Sequence, residues 1–152
     1  MYRILNIGGK DYKLQYTIEA SLYSNCVEKL IDFYAKYFDA ENSMDVHKLT
    51  RSLSDVPNTA LTIFYAGLME EHGVSGDQSV TTIGDAKRLL TKYFEEHKDD
   101  DTGNFYGILK ICMDQMGEDG FFKLIGLETM IKEGTNQKEN QNRKTSAKNS
   151  EK

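Results

Sequence analysis

The chain has no tryptophan, a single proline, two cysteines and three histidines among 152 residues. Each scarcity excludes something. Cys26 and Cys112 lie far apart in apolar surroundings, with no CxxC neighbour and no nearby histidine. A zinc box is therefore absent, and two buried free thiols in a reducing compartment are expected. His47, His72 and His97 each stand beside acidic residues without HExxH spacing, so they read as exposed polar side chains and no metal is expected. No apolar run approaches the roughly 20 residues of a membrane span. The opening Met-Tyr-Arg-Ile-Leu-Asn-Ile carries one positive charge and no long apolar region, unlike a signal peptide. A soluble, cytoplasmic protein is expected, with no membrane partner.

Catalytic signatures are missing too. No serine or cysteine has a GxSxG or histidine-paired setting. Gly8-Gly9-Lys10 lacks the further glycine and the Ser/Thr of a phosphate-binding loop. Asp99, Asp100 and Asp101 are contiguous, whereas a calcium loop alternates its carboxylates, so a solvated acidic loop is the better reading. Glu70-Glu71 and Glu95-Glu96 are adjacent and diverge around a helix. They sit where the helix dipole disfavours them, which points to a basic partner or a solvated end. The chain is expected to be a binding module without cofactor, not an enzyme.

What is present is aromatic and unevenly charged. Nine tyrosines and seven phenylalanines supply the large packing residues, and the net charge is −5. From Glu133 onward five basic residues face three acidic ones, so the rest of the chain is the more acidic part. An acidic body disfavours non-specific nucleic-acid binding, which needs cations to displace counterions.

Along the chain, residues 2–7 and 11–16 alternate as a β-hairpin, with Ile4, Leu5 and Ile7 before the glycine turn and Tyr12, Leu14 and Tyr16 after it. A lone hairpin is marginal in water, so it must pack on helices or pair with another chain. Residues 18–38 read as one helix capped by Thr17, its stripe running through Ile18, Leu22, Cys26, Leu30, Phe33, Tyr34 and Tyr37. A loop at 39–44 and a short helix at 45–53 (Val46, Leu49, Leu53) follow. Residues 57–73 form the best-marked helix: Ser54 or Asp55 as cap, Pro57 in the first turn, and Gly73 as a left-handed end. Its packing motif is Phe64, Ala66, Gly67 and Leu68. A glycine inside a helix costs about 1 kcal/mol against alanine, so another helix is expected to cross close to its backbone.

The helix at 82–98 is capped by Thr82 with Asp85 and buries Ile83, Ala86, Leu89, Leu90, Tyr93 and Phe94. Two apolar, methionine-rich helices at 103–117 and 119–132 close the series. Methionine adapts to varied apolar surfaces, so Phe105, Ile108, Met113, Met116, Phe121, Phe122 and Met130 are candidates for a partner-binding face. The same residues also read as core, and both readings stand on different faces. From 133 to 152 no large apolar residue occurs, and a disordered polar tail is expected. The expected fold is mainly α: an N-terminal β-hairpin, a bundle of about five to six helices in one domain at 1–132, and the tail.

Two stretches carry a family resemblance. Phe64-Tyr65-Ala66-Gly67-Leu68, preceded by Asn58-Thr59-Ala60-Leu61, resembles the tail assembly chaperones of long-tailed phages and prophages of Gram-positive bacteria. Ile7-Gly8-Gly9-Lys10-Asp11-Tyr12-Lys13-Leu14 is similar to that family's opening strand, Gly-Lys turn and Tyr-x-Leu strand. The resemblance covers roughly Tyr2 to Phe94 and rests on small and apolar residues rather than catalytic ones. It implies a protein of the host cytoplasm that binds the tape measure protein, a very long helical chain, and keeps it soluble during virion assembly. It also implies a longer frameshifted product that recruits tail tube protein. Ala147-Lys148-Asn149 is compatible with a slippery codon run. Self-association through the hairpin or the terminal helices fits the same pattern. The alternative is a generic helical adaptor or regulator that binds a folded host or phage protein. A nucleic-acid-binding regulator would need a basic recognition helix, which no segment supplies.

Overall fold

Two glycines set the turn of the hairpin. Gly8 and Gly9 stand at φ +62° and +79°, left-handed values that glycine reaches without strain. They join β1 (Arg3–Ile7) to β2 (Lys10–Leu14), antiparallel, with Ile7 opposite Lys10 and Arg3 opposite Leu14. In this computed structural model seven helices follow among the described residues: α1 (Ile18–Ser21), α2 (Cys26–Ser43), α3 (Val46–His72), α4 (Ile83–Glu96), α5 (Phe105–Glu118), α6 (Phe121–Leu124) and α7 (Leu127–Ser150). The structure describes residues 2–23, 25–43 and 46–150, the side chains of 36–52, 149 and 150 excepted. The fold is mainly helical behind an N-terminal hairpin, as the periodicities require.

The chain divides into two units, Met1–Phe121 and Phe122–Lys152, where sequence patterning put the boundary after residue 132. In the first unit α3 is the centre. It packs most extensively on α2 and α5 and also meets α1, α4 and β2. From Thr59 to Met69 it is buried on every side except at half-buried Leu61. Ala60, Ile63, Phe64, Ala66 and Leu68 are fully enclosed.

The expected crossing at Gly67 is real, but the crossing element is not a helix. The exit of β2 lies there. A Cβ on Gly67 would stand 2.6 Å from Leu14 Cδ1 and 2.7 Å from the Tyr16 ring. The Gln15 N–H donates to the Gly67 carbonyl at 2.9 Å, and the Tyr16 hydroxyl donates to the Ile63 carbonyl at 2.9 Å. The glycine is therefore the socket in which the hairpin is seated.

Several expected boundaries move. The helix expected at 18–38 is broken after Ser21. Asn25 adopts φ +60°, a left-handed value that asparagine tolerates better than most residues. Ile18 and Leu22, assigned to the buried stripe, are exposed, while Cys26, Leu30 and Phe33 are buried. Thr17 makes no cap hydrogen bond, and its hydroxyl donates to Glu70 instead. The assignments of Tyr37, Val46, His47 and Leu49 fall on side chains outside the described ones.

The helices expected at 45–53 and 57–73 are one helix, α3, with Pro57 inside it. Proline there removes the in-helix donor to the Leu53 carbonyl, at a position where Leu53 is exposed. Ser54 and Asp55 are helical residues rather than caps. Gly73 is not left-handed among the described residues; its N–H donates to the Met69 carbonyl at 3.0 Å as the helix ends.

The capping box of α4 is present. The Thr82 side chain accepts the Asp85 N–H, and the Asp85 carboxylate takes the N–H groups of Thr81 and Thr82. Those backbone N–H groups hold the Asp85 carboxyl down to about 2. Ile83, expected in the core, is exposed.

The expected disordered tail is helical through Ser150 as part of α7, and it is exposed from Glu128 to Lys148. The stretch lacks a packed face, as its polar composition requires, and is helical all the same. Glu128 with Lys132 and Glu139 with Arg143 have the i,i+4 spacing and order that support an isolated helix. Glu128 in the first turn and Lys148 in the last also complement the dipole.

Candidate partner-binding grooves

Helix α5 begins at a cap. The Asn104 side chain accepts the Gly107 N–H at 2.8 Å, fixing the first turn and the directions of Phe105 and Tyr106. Adjacent helix positions lie about 100° apart, so these two rings serve different faces. Phe105 lines a groove of about 250 Å³ with Pro57, Asn58 and Leu61 of α3 and Leu90, Thr91 and Phe94 of α4. Phe94 and Phe105 meet there edge to face, with centroids 5.0 Å apart. Tyr106 lines a second groove of about 200 Å³ with Phe33 and Tyr34 of α2 and Leu109 and Met113 of α5. Lys110 and Asp114 rim this groove one turn apart, while Lys87 borders the first. Two apolar grooves thus flank the first turn of α5, and Tyr106, on the wall of the second, is 57% exposed.

The seven candidate contact residues separate on this geometry. Ile108, Met116 and Phe121 are fully enclosed and offer no surface. Phe105 and half-buried Met113 reach the two grooves. Phe122, half-buried, and Met130, 63% exposed, belong to the second unit. Phe64, Ala66, Gly67 and Leu68 lie together in the core around the hairpin seat. Tyr106 escaped the sequence reading. The signal for it was two neighbouring aromatics at a helix start, which cannot both face one core.

The remaining polar chemistry holds the hairpin. Glu71 pairs with the Lys13 ammonium at 3.0 Å, Glu70 accepts the Thr17 hydroxyl, and Glu96 accepts the Gly8 N–H at 2.7 Å. Of the acidic helix ends, expected to meet a basic partner or solvent, Glu70, Glu71 and Glu96 thus have intramolecular donors, and Glu95 is exposed. His72, expected to be exposed, is buried and accepts the Lys13 N–H at 2.8 Å. Asp119 accepts the Tyr16 N–H at 2.8 Å and the Gln115 side-chain amide at 2.9 Å.

Cys26 and Cys112 are buried free thiols, and burial pushes each up to about 12. At that value they remain protonated and weakly nucleophilic. Burial likewise raises the Tyr16 hydroxyl well above its ordinary range. Among the described residues no three His, Cys, Asp or Glu side chains converge as a metal site, and no helix is long and apolar enough to cross a membrane. In the acidic loop, Asp100 turns inward on its own segment, accepting the Thr102 N–H at 2.8 Å and facing His97 Nδ1 at 2.8 Å. Among the described residues the arrangement offers two apolar concavities beside the first turn of α5. Comparison with protein-family models, with curated proteins and with solved structures gives no match.

Proposed function

We propose that this chain is a tail assembly chaperone that covers the apolar stripe of a long helical partner, the tape measure protein, and keeps it soluble in the host cytoplasm. The observation that carries the reading is the pair of apolar grooves on either side of Phe105 and Tyr106. A helix laid across the first turn of α5 presents side chains at i, i+3, i+4 and i+7, and the grooves can receive successive anchors. The resemblance of the Phe64–Leu68 and Ile7–Leu14 stretches to that family supports the same reading. Each contact is small, so affinity per copy is modest and many copies coat one partner. The acidic body keeps the coated complex dispersed. A frameshifted longer product would add a segment that recruits tail tube protein.

The test is co-expression with the long helical protein encoded nearby, using wild type and a Tyr106→Glu/Met113→Glu double variant. The wild type should hold the partner in the soluble fraction and co-purify with it. The double variant should fold, with unchanged far-ultraviolet circular dichroism, and lose the partner. A folded double variant that still solubilises the partner overturns the grooves as the contact. A wild type that leaves partner solubility unchanged and binds a compact folded protein instead overturns the chaperone and supports the adaptor reading.

A further inference from the structure

We propose that His72 is a proton-operated latch that holds the hairpin against α3 and loosens it in acid. The register makes Ile4 and Lys13 the non-hydrogen-bonded pair of the hairpin, so the Lys13 N–H points away from β1. Its acceptor is Nε2 of buried His72, at 2.8 Å. An imidazole nitrogen accepts only while it carries no proton, which places the ring proton on Nδ1. Nδ1 faces Asp77 Oδ2 at 3.0 Å and the Ser79 hydroxyl at 3.2 Å.

A second proton, taken from solvent at Nε2, sets N–H against N–H. The bond to Lys13 is lost and that amide turns to water. The groups around the ring decide what remains. From β2 come the Tyr12 ring, with centroids 5.2 Å apart, and the Lys13 ammonium, which is already paired with Glu71 of α3. From the loop after α3 come Asp77 and Ser79. The Ser79 hydroxyl, with further help from the Ser79 N–H and His72, holds the Asp77 carboxyl down to about 2. Asp77 therefore stays anionic wherever histidine changes charge, between about pH 5 and 8, and keeps the charged ring in place.

Both ring states thus have a partner, and only the neutral one holds the strand. The direction follows: the attachment holds while the ring is neutral and is lost once Nε2 takes the second proton. The strand loosens between two anchors that do not involve His72, the Gln15 N–H on the Gly67 carbonyl and the Gly8 N–H on Glu96.

Amide exchange of the ¹⁵N-labelled full chain tests this, followed from about pH 8 to about pH 5 and corrected for intrinsic rates. Protection of the Lys13 amide should fall about tenfold or more in step with the His72 ring resonances, while Gln15 keeps its protection. His72→Gln, whose side-chain carbonyl accepts without titrating, should abolish the step. Asp77→Asn removes the anion that favours the charged ring and should move the step to lower pH. An unchanged Lys13 amide while the His72 ring titrates overturns the latch. So does an equal step in His72→Gln or, where that variant does not fold, an unmoved step in Asp77→Asn.

Discussion

Helices α3 and α7 are nearly equal in length, 27 and 24 residues, and differ in what surrounds them. Between Thr59 and Met69, α3 is rich in β-branched and aromatic residues, which form helices weakly because they lose side-chain freedom against the preceding turn. It is buried almost all round. Helix α7 mixes Glu, Lys and Gln, which lose little on entering a helix, with Asn, Thr and Ser, which favour it less, and it is exposed from Glu128 to Lys148. The first helix exists because α2, α5 and the hairpin enclose it. The second has no such enclosure from Glu128 to Lys148 and rests on local terms such as the Glu128–Lys132 and Glu139–Arg143 spacings. Substitutions in α3 therefore test packing, whereas substitutions in exposed α7 test local helix stability.

The largest expected contrast is between Phe64→Ala and Met130→Ala. Phe64 is fully enclosed, and truncating such a ring leaves a cavity, at a cost of about 3–5 kcal/mol. Met130 is exposed in α7, where truncation should stay within about 0.5 kcal/mol. Denaturant unfolding of the two variants measures both. Equal losses would break the comparison, because they would show that α7 contributes packing energy of its own.

Next comes Gly67→Ala. In an open helix this substitution stabilises. Here the added methyl would meet Leu14 Cδ1 and the Tyr16 ring, and neither side chain is free to move. Tyr16 is held by its hydroxyl on the Ile63 carbonyl and by its N–H on Asp119, and its ring meets Phe121 edge to face, with centroids 5.6 Å apart. Overpacking of this kind costs about 1–3 kcal/mol. A thermal melt should show a lower midpoint, together with weakened amide protection at Gln15, whose acceptor is the Gly67 carbonyl. A raised midpoint would show that the hairpin seat yields.

These contrasts explain what was legible from the residues alone. Alternation and a Gly-Gly turn fixed the hairpin, because strand and turn signals are local. An interior glycine announced a close approach but could not name what approached, since a strand exit and a helix leave the same gap. Pro57 misled because proline is most often found near a helix start, while here the surrounding packing carries α3 through it. His72 looked like the polar end of a helix. Its burial depends on β2, which lies far off in sequence, and no local pattern reports that. The candidate face was half legible: apolar periodicity marks α5 but cannot separate Ile108 and Met116, which face the core, from Met113 at a groove. Composition located the exposed stretch after Glu133, yet exposure and disorder are different properties, and α7 separates them.

The smallest expected effect is the mirror of Gly67→Ala. Gly134 lies inside α7 with nothing within 4 Å of where a Cβ would stand. Alanine there gains the ordinary propensity difference, up to about 1 kcal/mol of local helix stability, with no neighbour to displace. The ellipticity at 222 nm should rise slightly and the amides around Thr135 should exchange more slowly, while the unfolding midpoint set by the α3 core stays where it was. One substitution, glycine to alanine, would then carry opposite signs in two helices of one chain. Should Gly134→Ala instead lower the midpoint, a side chain would have to meet that face of α7, and the helix would belong to a packed surface after all.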